Sequence, residues 1–424
     1  MSPAGPLEAV ILNDYATTTG GSTAVALGSA VALAERGVRV TLFTCVGPVS
    51  PSLRGIPNLD VICLRQQEIA RDGNRLRAFA GGLRNRTAEL ALRDLLAGKD
   101  PARTVVHVHT WTKALSPFAP AAAASLGFPL VVTLHDFFIA CPSGGFFVHR
   151  TGELCRRRPL SGACIACNCD RRNYAHKLWR CARTLLQNRL RLPERAACFV
   201  GVSDFSLKVL RPFLPAGART RIVRNPVECE RGEPAATAAN RSFVFIGRFE
   251  REKGVTLFAE AARAAGVEAV FIGDGPLREE ARRLCPAGTF TGWLPPAEIR
   301  RHLARARALV FPPLWYETLG LVAIEAAAAG VPAIISDQSA ATDYVRDGVT
   351  GLHFERGSAA SLAGQITRLA RDDALAGRLG AAAYRWYWQD PWTAERHAAE
   401  LHELYEELLS GAPALAADAL PHPV

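Results

Sequence analysis

The sequence predicts an α/β protein built from two doubly wound, Rossmann-like parallel-sheet domains. The chain has 424 residues, which is more than one core usually serves, because single hydrophobic cores stop growing at roughly 250–300 residues. Short apolar runs typical of buried strands alternate with Ala- and Leu-rich helical patterns. The alternation stops at 226–240 and then starts again. We therefore expect the same architecture twice.

The first domain is expected over residues 1–225. Its strand candidates are short apolar runs of the kind that are buried on both faces of a parallel sheet. These candidates are Ala9–Leu12, Val38–Phe43, Val105–His109, Leu130–Leu134, Cys198–Val202 and Arg221–Val223.

The second domain is expected over residues 241–383. It follows a linker at 226–240 that contains Pro, Gly, Thr and charged residues without apolar periodicity. Its strand candidates are Phe243–Ile246, Ala269–Ile272, Ala308–Phe311, Ala333–Ile335 and Leu352–Phe354. The Ala/Pro-rich tail 411–424 is expected to be disordered.

Composition and charge exclude several classes of protein. Apolar residues make up 49% of the chain and charged residues 21%, which excludes collagen-like and disordered classes. Residues 1–213 hold 27 Lys and Arg against 14 Asp and Glu, whereas residues 214–424 hold 23 against 26. A solvated basic face explains this asymmetry, and so does attraction to anionic lipid or to a phosphate-bearing substrate. No recognisable nucleic-acid-binding module accompanies the charge, so nucleic acid is not an expected partner.

The sequence also bears on location. It contains no apolar run of the ~18–20 residues that cross a bilayer, and residues 1–12 lack a basic region followed by a long apolar stretch. We expect a cytoplasmic protein, and the basic first domain would allow a peripheral position at the inner membrane face.

A cysteine-rich insert is expected at about residues 141–169. The chain has eleven cysteines, and Cys141, Cys155, Cys164 and Cys167 fall within this insert, ending in a Cys-x2-Cys pair. Four thiolates can bind zinc tetrahedrally and stiffen an irregular loop. An iron–sulfur cluster and free thiols are the alternatives; disulfides are not expected in a reducing cytosol.

Two basic residues after the first strand of the second domain form a candidate phosphate clamp. Arg248 and Lys253 lie five residues apart between Gly247 and Gly254. Only 5 of the 50 basic residues are Lys, and Lys253 is the sole Lys after residue 208. This choice favours a site that needs a compact ammonium group rather than a planar guanidinium.

Two carboxylates eight residues apart form the second candidate element. If the span from Glu317 to Glu325 were helical, they would be separated by roughly 80° and ~12 Å and could address one elongated ligand. Glu325 sits among apolar neighbours, where an ionised carboxylate needs partners such as a ribose diol. The amides of Thr318 to Leu321 would be free donors at a helix N-terminus, which suits a diphosphate.

Together these residues resemble the family-4 glycosyltransferases, which are retaining nucleotide-sugar enzymes of the GT-B fold. The family signature of a Glu, seven residues and a Glu is met by Glu317 and Glu325, and a Gly-Arg-x4-Lys-Gly element is met at 247–254. The resemblance covers about residues 8–410. It also includes Gly20-Gly21, Thr133-Leu134-His135-Asp136, Arg224-Asn225-Pro226 and Thr291-Gly292-Trp293-Leu294.

The resemblance implies a role for each matching residue. Arg248 and Lys253 would hold the donor diphosphate, Glu325 would contact the ribose, and His135 and Glu317 would be the catalytic residues at the donor sugar. The full set that it places at the donor is Gly20, Gly21, Arg248, Lys253, Thr318, Leu319, Gly320, Leu321 and Glu325. Thr318 departs from the family, which often has Gly or Ala after the first Glu.

The resemblance also implies a function. It predicts a hexosyltransferase-type enzyme whose two domains face a cleft and which moves a sugar, with retention, from a nucleotide sugar to a glycan, lipid-linked or small-molecule acceptor. No Asp-x-Asp is present, so no metal cofactor is expected for catalysis. A helical segment at 384–410 should cross back to the first domain. The alternatives are a GT-B nucleotide-sugar epimerase or hydrolase, and a non-catalytic scaffold with a zinc-stiffened loop.

Overall fold

The computed structural model describes residues 6–411, and its chain forms two parallel sheets. The first sheet has seven strands in the order β3-β2-β1-β4-β5-β8-β9. Its strands are β1 (Glu8–Tyr15), β2 (Arg39–Val46), β3 (Leu59–Gln66), β4 (Thr104–Val108), β5 (Leu130–Leu134), β8 (Cys198–Gly201) and β9 (Thr220–Ile222). A small antiparallel hairpin comprises β6 (Phe147–Val148) and β7 (Glu153–Leu154).

The second sheet has six parallel strands in the order β12-β11-β10-β13-β14-β15. Its strands are β10 (Ser242–Ile246), β11 (Ala269–Ile272), β12 (Thr289–Gly292), β13 (Ala306–Phe311), β14 (Ala333–Ser336) and β15 (Gly351–Phe354). The two sheets confirm the predicted α/β class with two parallel-sheet domains.

Helices connect the strands. They are α1 (Gly21–Glu35), α2 (Arg75–Leu83), α3 (Arg86–Ala97), α4 (Phe118–Ser125), α5 (Gly162–Ala166), α6 (Tyr174–Arg189), α7 (Leu192–Arg195), α8 (Asp204–Leu210), α9 (Val255–Ala265), α10 (Arg278–Leu284), α11 (Pro296–Ala304), α12 (Leu321–Ala328), α13 (Ala359–Arg371), α14 (Asp373–Gln389) and α15 (Ala394–Leu409). Among the described residues, no helix is both long and apolar enough to span a membrane.

Each sheet is covered on both faces, because successive side chains of a strand point to opposite sides. In β1, Val10 and Leu12 pack into one core cluster while Ala9 and Ile11 pack into another. In β10, Val244 and Ile246 likewise face one cluster, and Phe243 and Phe245 face the other. This double burial explains why the central strands read as continuous apolar runs.

The strand order reverses between β1 and β4 in the first sheet and between β10 and β13 in the second. Ligands of doubly wound sheets bind in the crevice at such switch points, beyond the carboxyl ends of the strands. The loops that follow β1, β4, β10 and β13 therefore define where a site should lie, and the loop after β5 lies beside the loop after β4.

The last helix joins the two halves. The side chains of Leu401, Leu404 and Tyr405 on α15 belong to a core cluster of the first sheet, and the Tyr405 hydroxyl lies 2.5 Å from Nδ1 of His107 on β4. Trp392, just before α15, packs in the core of the second sheet. The return to the first domain is thus made by α15. Of the predicted tail, residues 412–424 lie outside the described part of the chain.

Candidate functional site

The loop after β10 carries the first two predicted site residues, Arg248 and Lys253. The turn that holds Lys253 ends at Gly254, whose φ is 73°. A Cβ on Gly254 would lie 1.9 Å from the carbonyl oxygen of Pro312, so only glycine permits this approach. The close contact brings the loop after β10 against the loop after β13.

Lys253 and Glu317 meet where these two loops touch. The Lys253 ammonium donates to Oε2 of Glu317 at 2.6 Å, and the indole Nε1 of Trp315 donates to the same oxygen at 2.9 Å. The Lys253 Nζ also lies 5.1 Å from the centre of the Trp315 ring. Sequence reasoning missed Trp315, although it lies two residues before Glu317. The arrangement holds an ammonium and a carboxylate side by side at the carboxyl end of the sheet.

The N-terminus of α12 lies next to this pair. Gly320 has φ 84°, and a Cβ there would lie 2.7 Å from the Phe311 ring. The hydroxyl of Tyr344 donates to the carbonyl oxygens of Leu319, at 2.8 Å, and Gly320, at 2.9 Å. Burial raises the pKa of Tyr344, so the hydroxyl stays a donor. The N–H of Ala323 already donates to the carbonyl oxygen of Gly320 at 2.9 Å, so the N–H groups of Leu321 and Val322 are the ones that the start of α12 can offer to an anion.

The expected helical span from Glu317 to Glu325 is wrong in part. The helix begins only at Leu321, after the left-handed Gly320, because the preceding residues form the loop that contacts Lys253. The predicted separation of 80° and 12 Å therefore does not apply. Glu325 lies on α12, where burial raises its pKa although the charge of Arg300 opposes the shift.

The first domain supplies the opposite side of the site. Gly21 begins α1, and a Cβ there would lie 3.6 Å from Cδ1 of Leu321, so the Gly20-Gly21 loop faces the N-terminus of α12. His135 directly follows β5, and its carbonyl oxygen accepts a hydrogen bond from Oγ1 of Thr318 at 3.0 Å. The residue that departs from the family pattern thus bridges the two domains.

A second bridge involves a residue that sequence reasoning missed. The hydroxyl of Ser203, which follows β8, donates to the carbonyl oxygen of Thr318 at 2.7 Å. The structure therefore brings Gly21, His135 and the 317–321 segment together. Arg248 lies apart from this group, half exposed and 3.0 Å from Glu250.

Three histidines of the first domain, His107, His109 and His135, lie close together and are neutral. The Nε2 atom of His135 lies 2.9 Å from Nδ1 of His109, and Nε2 of His107 lies 2.6 Å from Oγ1 of Thr133. Burial lowers the pKa of His135 to about 3 and the pKa values of His107 and His109 well below the usual histidine value. The imidazole of His135 is therefore uncharged at neutral pH.

The zinc prediction for the cysteine-rich insert is not supported. Cys164 accepts a hydrogen bond from the buried Lys177 ammonium at 3.5 Å, and Cys155 from Arg157 at 3.8 Å. Neither Cys141 nor Cys167 completes a cluster with them: within residues 6–411, no three His, Cys, Asp or Glu side chains are grouped as a metal site requires. All eleven cysteines are free.

Two family models match the chain. Residues 19–231 match "Glycosyltransferase Family 4" and residues 230–386 match "Glycosyl transferases group 1". Among curated proteins, glycogen synthase of Mycobacterium tuberculosis is 29% identical over 310 residues, which is 70% of this chain and 67% of that protein. Alpha-maltose-1-phosphate synthase of Mycolicibacterium smegmatis is 28% identical over 369 residues, covering 78% of this chain and 86% of the relative.

Solved structures share the fold. Sucrose-phosphate synthase from Thermosynechococcus elongatus superposes with a TM-score of 0.70 at 21% identity, covering 96% of this chain and 100% of the other. HepE from Anabaena, in complex with UDP and glucose, superposes with a TM-score of 0.63 at 16% identity, covering 95% and 100%.

Proposed function

This chain belongs to glycosyltransferase family 4 and has the GT-B fold, and we propose that it transfers a hexosyl group from a nucleotide sugar with retention of the anomeric configuration and without a catalytic metal. The observation that carries the proposal is the contact of Lys253 with Glu317 at the carboxyl end of the second sheet. The ammonium group can bind a phosphate, and the carboxylate can bind sugar hydroxyls. The two groups are close enough for one nucleotide sugar to contact both.

The diphosphate of the donor would be held by the second domain. Arg248 and Lys253 supply two positive charges, and the N-terminus of α12 supplies N–H donors beside Leu321. When the sugar bond breaks, negative charge develops on the leaving nucleoside diphosphate. Fixed cations and amides can stabilise that charge in the way that a divalent metal does in other enzymes.

The sugar would lie between the two domains. Glu317 can accept hydrogen bonds from sugar hydroxyls once the diphosphate draws Lys253 away, and the Gly20-Gly21 loop lets backbone approach the donor from the opposite side. His135 is proposed to face the reacting carbon. Glycosyl transfer develops positive charge at that carbon, and a neutral imidazole does not repel it.

The function is tested with a panel of nucleotide sugars. HepE binds UDP in its solved complex, so UDP-glucose is the first probe, followed by ADP- and GDP-sugars. We expect one donor to raise the melting temperature in the presence of a chelator and to release its nucleoside diphosphate when an acceptor is added. The one-bond coupling of the anomeric carbon should show the donor's configuration in the product. Absence of stabilisation by every donor would contradict the proposal.

The acceptor is proposed to be a glycan or a lipid-linked sugar that the first domain meets at an anionic membrane. Leu76 is 83% exposed and Phe79 52% exposed on α2, and Leu178 and Leu185 are exposed on the neighbouring α6. Three exposed arginines lie on or beside α2, and each pairs with a carboxylate: Arg71 with Glu68, Arg77 with Asp72 and Arg84 with Glu89. Exposed apolar side chains suit the boundary between headgroups and acyl chains, and anionic headgroups would compete with these carboxylates for the guanidinium groups.

Vesicle sedimentation tests the membrane part of the proposal. The chain should bind vesicles that contain phosphatidylglycerol at low salt and detach as salt rises. Phe79→Glu should weaken this binding, whereas Leu90→Glu, an exposed site on α3, should leave it within about twofold, since a charge away from the contact changes little. Equal loss in both variants would contradict the assigned surface.

A further inference from the structure

The cysteine-rich arm, residues 141–173, reaches across to the second domain. Arg251, in the loop after β10, donates to the carbonyl oxygens of Arg150 at 2.9 Å and Thr151 at 3.1 Å. Gly152 has φ 79°, and a Cβ there would lie 2.9 Å from Nε of Arg251. The arm is therefore shaped to receive the Arg251 side chain.

The same arm also contacts the loop after β13. A Cβ on Gly145 would lie 3.0 Å from the ring of Trp315, the residue that donates to Glu317. The arm thus contacts both loops that carry predicted donor residues. None of these contacts involves a metal site or a disulfide, so the arm's role does not depend on the predicted zinc.

Two neighbouring carboxylates, Glu250 and Glu252, lie at the centre of this contact. Burial and a hydrogen bond with Glu250 raise the pKa of Glu252 to about 7, so Glu250 is the one that carries the full negative charge. Glu250 is 8% exposed, and a buried carboxylate needs positive partners. It has two: Arg248 of its own loop, with Nη1 3.0 Å from Oε2, and Arg171 of the arm, which pairs with Oε1. Both arginine side chains are about half exposed, so either guanidinium can also turn toward a ligand.

We propose that Arg171 is a positioning residue that shares the charge of Glu250 and thereby weakens the hold of Glu250 on Arg248, which can then turn to bind the donor diphosphate. Without Arg171, Glu250 has Arg248 as its one strong cation and holds it away from the phosphates. With Arg171 in place, the charge of Glu250 is offset from the first domain, so phosphate capture is coupled to the approach of the two domains. This inference rests on the proposed function of the second domain.

The experiment compares two neighbouring arginines. Arg171→Ala should weaken binding of the selected nucleoside diphosphate about tenfold, the size of one charge-assisted hydrogen bond. Arg172→Ala is the matched control, because its guanidinium lies near His176 of α6 and not at the second domain. Arg171→Lys should recover part of the affinity. In a Glu250→Gln background, Arg171→Ala should change affinity by less than about twofold, because the competition for Arg248 is gone.

Additive effects of Arg171→Ala and Glu250→Gln would overturn the inference, as would wild-type affinity in Arg171→Ala. A ligand-free readout keeps the test independent of the donor: amide exchange of residues 247–254 should speed up in Arg171→Ala and not in Arg172→Ala, and equal exchange in both would also overturn it. If the wild-type chain bound no nucleoside diphosphate while exchange responded as stated, the proposed function would fail and the contact would stand.

Discussion

The two walls of the cleft hold their functional groups in opposite ways. The second domain presents pairs of opposite charges, since Lys253 contacts Glu317 and Arg248 contacts Glu250. Opposite residues 317–321, the first domain presents neutral groups, namely the backbone at Gly21 and the residue His135, whose pKa burial lowers to about 3. On the proposed function, this difference means that the second domain binds the diphosphate of the donor, whereas the first domain encloses the reacting carbon.

Removing the positive charge of Lys253 should have the largest effect on donor binding. Lys253→Ala should weaken nucleoside diphosphate binding by ~2–3 kcal/mol, since a charged hydrogen bond is lost from a partly dry site. Calorimetry measures the change. Arg263→Ala, an exposed arginine on α9, is the control and should bind like the wild type; equal affinity of Lys253→Ala and wild type would break the comparison.

Glu317→Gln should separate sugar binding from phosphate binding. The substitution removes the carboxylate that holds Lys253, so affinity for the nucleoside diphosphate should not fall. The kcat/KM for the complete nucleotide sugar should fall about tenfold or more, because a charged acceptor for sugar hydroxyls is lost, worth ~1.5–3 kcal/mol. Steady-state kinetics and calorimetry on the same variant check this split. A parallel loss in both would assign Glu317 to the phosphates instead.

The pH dependence of stability should show whether His135 is neutral in the folded protein. Above pH ~7 His135 is neutral whether the chain is folded or unfolded, so it adds no pH dependence. Below an unfolded pKa of ~6.5, the unfolded chain takes up a proton that the folded His135 refuses, so wild-type stability falls relative to His135→Gln as pH falls. Between pH 8 and pH 5.5 the difference in unfolding free energy should shift by about 1.4 kcal/mol toward the variant. Urea titrations that show no shift would contradict a neutral His135.

The bridge between the walls should have the smallest effect. Thr318→Val removes the hydroxyl that bonds the His135 carbonyl while keeping the side-chain shape. The kcat/KM should fall by roughly fivefold, corresponding to ~1 kcal/mol for one neutral hydrogen bond. Thr318→Ser keeps the hydroxyl and should stay near wild type. If both variants behaved alike, the domains would not be coupled through this contact.

The sequence predicted eleven of the thirteen strands of the two parallel sheets. The β5 and β11 ranges were predicted to the residue and the edge strands β9 and β15 to within one residue, whereas β3 and β12 were missed. Both missed strands lie at a sheet edge and are only partly buried, so they lack the continuous apolar run of strands that are covered on both faces. The α/β class could be predicted because double burial leaves its mark on local sequence.

In the candidate site, too, the sequence predicted only those residues whose role can be recognised from a local pattern. Lys253 and Glu317 could be named because each belongs to a short motif on its own loop. Ser203 and Tyr344 could not, because their roles arise from hydrogen bonds between segments that are distant in sequence. Trp315 bonds a residue only two positions away, but its contact with Lys253 comes from the distant loop after β10. The zinc prediction lost its support for a related reason, since cysteine spacing does not show that Lys177 lies against Cys164.

The division between the walls is tested most directly by one calorimetric comparison. The nucleoside diphosphate that the donor panel selects is titrated into wild type, Lys253→Ala and His135→Ala, with a chelator present. Affinity should fall by a factor of about 30 or more in Lys253→Ala, as expected for a lost charged contact, and should stay within about twofold in His135→Ala. An equal loss in both variants, or a loss confined to His135→Ala, would show that the two domains do not divide donor binding in this way.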